Sequence, residues 1–362
     1  MKKFLFLSIQ ILLSFSLAAQ NLSTITFLDE TIAETSGIIF LEGRLITHND
    51  SGGEAALYEV DTTNGNVLRT VVINNATNVD WEDITYDENY IYIADIGNNN
   101  GTRTDLKIYS ILIADYFGND TVSADVIEYK YADQTNFTSN PFNTNFDSET
   151  LIAFNDSLYI FTKNWGDNRT NVYSLPKTPG NYSINRIDNF WTNGIITGGT
   201  YNANTDKVVL TGMALVFPFI IEINDVNSHY FSDATRKRYM INAQNAIQIE
   251  SIDKINEYQY YLTAESGIGG AATLYFLELD EILSAEALTI QPSNLYPNPA
   301  NKSITIATQN LDTVKIFDSS GILEIESYTN EIDVSNLAKG TYVVLIQSKN
   351  NKAIDLQKLV IQ

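Results

Sequence analysis

Asp80–Ile111 reads DWEDITYDENYIYIADIGNNNGTRTDLKIYSI. An acidic knot around Trp81 comes first. Two short alternating runs follow, ITY and YIYIA, with Glu88-Asn89 turning the chain between them. A loop rich in Asp and Asn then ends at Arg103, and a third run carries Ile108-Tyr109. Short β-branched and aromatic runs separated by turn residues are the pattern of antiparallel strands.

The knot recurs. It appears in ETSGIIFLEGRLITHND from Glu34, SETLIAFNDSLYIFTKN from Ser148 and IESIDKINEYQYYLTAES from Ile249, and in a degenerate TGGTYNANTDKVVLTGM from Thr197. Aligning Ser36, Glu82, Glu149, Gly198 and Glu250 gives steps of 46, 67, 49 and 52 residues. Each start leads into a run, a turn and a second run. Third strands follow at Leu57-Tyr58, Ile108-Tyr109, Val172-Tyr173, Ile220-Ile221 and Leu274-Tyr275. Fourth strands are expected at Val67–Ile73, Asp125–Tyr131, Tyr182–Ile187 and Arg236–Ile241. Four short strands per unit at a period near 50 predict a β-propeller. The fifth unit lacks a fourth strand, and Ser23–Leu28 has no partner of its own. Pairing the two closes the ring and removes the exposed edges. Five blades are expected, with six as the alternative if the 67-residue step hides a partial blade around Ala132–Phe146.

Composition narrows the function. The formal charge of -22 disfavours nucleic acid and anionic lipid as partners, since both need Lys and Arg. Cysteine is absent, so neither disulfides nor thiol chemistry are available. Only His48 and His229 are present, too few for a histidine-rich zinc site. The first 19 residues, two lysines followed by an apolar run and small residues at Ser16, Ala18 and Ala19, read as a secretory signal peptide. No later stretch has the ~20 apolar residues that a spanning helix needs, so no membrane insertion is expected.

After Leu288 the character changes. LYPNPANKSITI opens a module of 289–362 in which VKIFDSSGILEI, IDVSNLAKGTYVVLIQ and DLQKLVIQ supply further strands. Its Tyr296-Pro297-Asn298-Pro299, the Phe317-Asp318 hairpin with Gly321, and Leu337 with Gly340-Thr341-Tyr342 resemble the type A C-terminal sorting domain of the type IX secretion system. That resemblance implies passage across an outer membrane by the type IX machinery, then release or attachment at the cell surface. The chain is thus read as all-β: signal peptide 1–19, propeller 20–288 and a small β-sandwich sorting domain 289–362.

A propeller places the first strand of every blade around a central channel, so matching positions face one another. Here these carry Glu82, Glu149 and Glu250, with Ser36 and Gly198 completing the ring and Glu34 two residues upstream. Converging carboxylates repel unless neutralised. Ca²⁺, tolerant of irregular oxygen cages, would do so, with Glu34, Glu82, Glu149 and Glu250 as ligands. The alternative is that each accepts hydrogen bonds from backbone. A second layer at the ends of the second strands holds His48, Asp50, Asp95, Asn98, Lys163, Trp165 and Glu265, with Arg103 in a following loop. These could bind a small ligand or glycan, or build turns, since HNDSGG and DIGNNNG are rich in turn residues.

HNDSGG, DWEDI with DIGNN and Arg103, DSETL with TKNW, and IESI with AES together resemble secreted propellers of the esterase-like phytase and SdiA-regulated types. Phytase-like relatives imply calcium-assisted phosphoester hydrolysis, with Glu82 and Glu149 as ligands and Lys163 and Arg103 on the phosphate. The fourth blade departs from that pattern at Thr200 and at Thr211-Gly212-Met213, and there is no dense Lys/Arg cluster. Three readings stand: a cation- and ligand-binding propeller, a metal-assisted phosphoesterase, and a structural surface protein.

Overall fold

The computed structural model describes residues 19–279 and 294–362, except 216, 225, 227–229, 243–246, 268–269, 309–310, 319–321 and 349–353. The leader read at 1–19 lies outside these residues save for Ala19, and so does the 288/289 boundary. The chain divides into two compact units, one of Ala19–Glu281 and one containing Ile282–Gln362.

The larger unit is nearly all strand. It opens with β1 (Ala19–Phe27). Blade 1 is β2 (Thr35–Leu41), β3 (Arg44–Asn49), β4 (Ala56–Val60) and β5 (Val67–Ile73). Blade 2 is β6 (Trp81–Tyr86), β7 (Tyr90–Asp95) and β8 (Lys107–Leu112), then, after α1 (Ile113–Gly118) and β9 (Thr121–Val122), β10 (Asp125–Tyr131). Blade 3 is β11 (Ser148–Phe154), β12 (Ser157–Thr162), β13 (Arg169–Pro176) and, after β14 (Gly180–Ile184), β15 (Arg186–Trp191). Blade 4 is β16 (Ile195–Asn202), β17 (Lys207–Ala214), β18 (Phe217–Asn224) and β19 (Thr235–Asn242). Blade 5 is β20 (Ile249–Lys254), β21 (Gln259–Ala264) and β22 (Thr273–Glu278).

β1 completes blade 5. It runs antiparallel to β22 from Leu22↔Leu277 to Phe27↔Thr273, and its first residues also pair with β19 of blade 4. The expected closing strand at Ser23–Leu28 is therefore present. The innermost strands touch in a closed circuit, β2 to β6, β11, β16, β20 and back to β2. Five blades account for the ring. The 67-residue step holds no sixth, because its surplus forms α1, β9 and a strandless loop over residues 132–147. One expected fourth strand is corrected: Tyr182–Ile187 straddles two strands. β14 adds to blade 2, parallel to β10, and β15 is the fourth strand of blade 3.

Local chemistry explains the hairpins. In blade 1, Glu42 (φ 49°) and Gly43 (φ 77°) both adopt positive φ, the two-residue turn whose twist matches paired strands. Strands buried on both faces pack blade against blade. Ile39, Ile46, Trp81, Ile93 and Tyr109 form one interblade core, and Ile108, Tyr129, Leu151, Ile160 and Tyr173 the next.

Polar staples add direction to this packing. Asp83 Oδ2 accepts the Leu151 N–H at 2.8 Å, Ser36 donates to the Glu82 carbonyl at 2.8 Å, and Thr197 donates to the Ile249 carbonyl at 2.6 Å. Each links one inner strand to its neighbour, so buried backbone groups at the blade interfaces are satisfied sideways.

The second unit is a two-sheet sandwich. β23 (Asn294–Tyr296), β24 (Ser303–Ala307) and β27 (Glu331–Asp333) form one sheet. The other contains β25 (Leu311–Phe317), β26 (Leu323–Ser327), β28 (Gly340–Ser348) and β29 (Ile354–Ile361), in the order β26-β25-β28-β29. Ile304, Ile306, Val314, Ile316, Val344 and Leu359 fill its core.

Candidate functional site at the channel mouth

Every innermost strand carries a register shift against its second strand at the same place. The pairing jumps from Trp81↔Asp95 to Asp83↔Ala94, from Ser148↔Thr162 to Thr150↔Phe161, and from Ile249↔Ala264 to Ser251↔Thr263. The residue left over in each case is Glu82, Glu149 or Glu250. A β-bulge leaves its extra residue without a partner and re-aims its side chain. Here the re-aimed side chains reach the channel. In blade 4 the shift between Ile196 and Gly198 makes Thr197 the equivalent residue, so the alignment on Gly198 is corrected by one position. In blade 1, Ser36 and Gly37 stand opposite His48.

The bulged residues meet in a cavity of about 290 Å³ lined by Ser36, Glu82, Glu149 and Glu250 together with Asp50, Lys163, Trp165 and Glu265. Half of the expected second layer thus lies in the same space as the expected ring. Asn99, Phe142 and Gln248 complete the lining.

Two groups of charges adjoin it; of the first, Asp50 and Glu82 line the cavity and Asp80 does not. In the first, Asp50, Asp80 and Glu82 each place a carboxylate oxygen within 4.8 Å of the others. Among the described residues no donor reaches the Asp80 or Glu82 carboxylate, while Asp50 Oδ1 accepts the Ser51 N–H at 2.5 Å. Burial, then the neighbouring Asp50 charge, pushes Asp80 up to about 7. Burial likewise raises Asp50 to about 6, and holds Glu82 well above the usual carboxylate range with Glu149 adding to it. Gly97 lets the backbone pass here, for a Cβ on it would lie 2.1 Å from Glu82 Oε1 and 2.4 Å from Asp80 Oδ2.

In the second group a buried lysine stands among acids. Lys163 Nζ contacts Glu149 Oε1 and lies 5.0 Å from the centre of the Trp165 ring. Burial disfavours its charge, but Glu149, Glu250 and Asp147 more than offset this and raise its pKa. Glu149 Oε2 is buried without a hydrogen-bond partner. Glu250 accepts from Gln248. Glu265 is pushed up to about 7 by burial and by Glu250.

The remaining candidates lie elsewhere. Glu34 is exposed, with Ser266 Oγ 3.4 Å from it. His48 is fully buried, its ring edge-on to Trp81 at 5.7 Å, and burial lowers its pKa to about 4. Asp95 and Asn98 belong to a loop brace. Arg103 donates to Asp95 at 2.7 Å, to Asp105 at 3.1 Å and to the Gly97 carbonyl at 2.9 Å, while Asn98 Oδ1 accepts the Arg103 N–H at 2.9 Å. This is turn chemistry, and none of the three lines the cavity.

Two acids escaped the sequence reading. Asp80 belongs to the carboxylate trio, and Asp147 accepts Trp165 Nε1–H at 2.8 Å and the Asn98 N–H at 2.7 Å. Both stand two residues before a bulged glutamate, as do Glu34 before Ser36 and Gln248 before Glu250. The repeated polar-x-Glu pattern was the available signal.

A larger cavity of about 600 Å³ opens at the other ends of the inner strands, lined by Tyr86, Asn155, Tyr201 and Lys254 among others. Its lysines are paired locally, Lys177 with Asp87 at 2.9 Å and Lys254 with Asp253 at 3.5 Å.

Residues 294–362 match the secretion system C-terminal sorting domain. The chain therefore carries a sorting module of the kind that engages the type IX secretion machinery, behind a propeller. No curated protein matches the sequence. Among solved structures, PorZ, described as an essential bacterial surface component of the type IX secretion system of Porphyromonas gingivalis, is 12% identical with a TM-score of 0.31. That match covers 91% of this chain and 51% of PorZ, so this chain spans about half of PorZ's length. Regucalcin from Agrobacterium tumefaciens, a calcium-binding protein, is 11% identical with a TM-score of 0.38, covering 73% of this chain and 97% of regucalcin. The WD40 propeller domain of Doa1 is 10% identical with a TM-score of 0.34, over 92% and 96%. Likeness of this degree carries nothing about ligand or activity.

Proposed function

We propose that this chain is a surface propeller that holds a divalent cation, Ca²⁺, at its channel mouth and takes a small ligand in the adjoining cavity. The carrying observation is the trio of Asp50, Asp80 and Glu82, in which Asp50 of the first blade meets the neighbouring pair Asp80 and Glu82 of the second within 4.8 Å, with no donors to Asp80 or Glu82 among the described residues. Oxygen ligands alone in an irregular arrangement suit Ca²⁺ better than Mg²⁺. Glu149 and Glu250 are served differently, since Lys163 acts as a built-in cation beside them. On this reading 1–19 is a signal peptide removed on export, 20–288 the functional propeller and 289–362 the sorting module.

The phosphoesterase alternative gains nothing from the geometry. Lys163 is engaged by Glu149, and Arg103 by Asp95, Asp105 and the Gly97 carbonyl. Neither is left to grip a phosphate.

Calorimetric titration of Ca²⁺ into the full chain, with elemental analysis after chelator-free purification, tests the cation. Binding weakened at least about tenfold by Asp80→Asn is expected. No calcium in the protein and no heat of binding would overturn the reading.

A further inference from the structure

The long step between the second and third blades builds a wall for the mouth, not a blade. Its loop docks on the Asn-rich turn after β7. The Asn140 N–H donates to the Asn100 carbonyl at 2.9 Å, the Phe142 N–H to the Asn99 carbonyl at 3.2 Å, and Gln134 Nε2 to the Gly101 carbonyl at 2.9 Å. Asn140 Nδ2 closes the tip on the Asn143 carbonyl at 3.0 Å. These bonds hold Phe142 at φ 53°, a left-handed conformation that a bulky residue adopts only where its surroundings impose it.

The side chain so placed is not buried. Phe142 is 64% exposed, lines the cavity, and meets the Trp165 ring edge-to-face at 5.1 Å. Trp165 is itself fixed by Asp147 on its indole N–H and by Lys163 over its ring. The mouth therefore carries a positioned aromatic corner beside the carboxylate trio, and Glu82, 4% exposed and reached by no donor among the described residues, lines the same space.

We infer that the ligand is a carbohydrate, with one sugar ring packing its C–H face against Phe142 and Trp165 while two of its hydroxyls bind the cation held by Asp50, Asp80 and Glu82. This inference rests on the cation reading above. Its chemistry is specific. Ca²⁺ takes six to eight oxygens, so three carboxylates leave positions that neutral hydroxyls can fill. A sugar ring has an apolar face for the aromatic corner and hydroxyls for the metal and for Gln248. An anionic ligand is disfavoured by the surrounding Glu149, Glu250 and Glu265. The cavity of about 290 Å³ holds a single sugar unit, so recognition is of a chain end or one exposed residue.

The full chain, fluorescently labelled, is applied to a printed glycan array in calcium buffer and in EGTA, and calcium affinity is measured separately by calorimetry. Retention on a subset of glycans in calcium, lost in EGTA, is the expected result. Phe142→Ala should weaken that retention about tenfold with calcium affinity unchanged, and Phe142→Tyr should preserve it. Because Phe142 is exposed, the alanine variant leaves the cores intact. Calcium binding without retention on any glycan overturns the carbohydrate inference while the cation site stands. Retention that persists in EGTA or in Phe142→Ala overturns the bridging geometry. Failure to bind calcium at all overturns both.

Discussion

The carboxylate of Asp253, on the innermost strand of blade 5, accepts the backbone N–H of Phe40, on the innermost strand of blade 1, at 2.6 Å. Its other oxygen accepts the hydroxyl of Thr200 in blade 4 at 2.6 Å. One buried side chain thus ties three blades across the point where the ring closes. β1 closes the same joint from outside, on the far edge of blade 5. The inner staple and the outer strand together explain how blades of mostly generic apolar packing hold one register.

Asp253→Ala removes both bonds and the 3.5 Å contact with Lys254, and leaves the part-buried Phe40 N–H without that partner. Hydrogen bonds to a charged group contribute about 1.5–3 kcal/mol each, so a loss of about 3 kcal/mol or more is expected in urea unfolding. Asp253→Asn keeps one acceptor oxygen and should lose about half as much. A cost below about 0.5 kcal/mol for the alanine, within ordinary surface variation, would show that closure depends on β1 alone.

His48 supplies a pH prediction. It is fully buried, and burial lowers its pKa to about 4, against about 6.5 in the unfolded chain. The unfolded state therefore takes up the proton first as the solution is acidified. Stability from keeping His48 neutral is complete above about pH 6.5 and is lost as pH falls towards 4, by up to about 3 kcal/mol. The raised carboxylates, Asp50, Asp80 and Glu265, act in the opposite sense over the same range. The difference between wild type and His48→Gln isolates the histidine, because the carboxylates are common to both. Unfolding profiles that run parallel from pH 7 to 4 would contradict its burial as a neutral ring.

The same residue shows where the sequence was legible and where it was not. The acidic starts, the polar turns and the orphan segment Ser23–Leu28 each have a local signature, so closure could be read directly, and the blade count to five with six left open. The signature of an acidic start proved to be a β-bulge, and a bulge adds a residue that alignment by residue type cannot see. That is why Thr197, not Gly198, stands in the fourth position. His48, Asp95 and Arg103 looked like ligand residues because they sit at strand ends beside Gly and Asn. Their side chains instead turn into the core or brace the loop, a choice made by tertiary packing. Phe142 gave no signal at all, since nothing in its neighbourhood marks a left-handed aromatic.

Lys163 carries the last prediction. It is the one cation lining the mouth cavity among the described residues, and it contacts Glu149 while both are buried. Lys163→Met removes that charge and leaves Glu149 and Glu250 facing each other unneutralised. Breaking a buried pair on one side costs about 3–5 kcal/mol. Calcium should then restore more stability to the variant than to the wild type, because a metal can take the place of the ammonium between the two glutamates. The melting gain from calcium is the quantity to compare; a cation at about 100 times its dissociation constant supplies roughly 2.7 kcal/mol per site. Glu149→Gln/Lys163→Met removes both charges and should be more stable than Lys163→Met, with its calcium response back near the wild-type value. A double-mutant cycle separates this from packing. If Lys163→Met and the double variant are equally destabilised and respond to calcium alike, Lys163 acts through its contact with the Trp165 ring, and its role as a built-in cation is refuted.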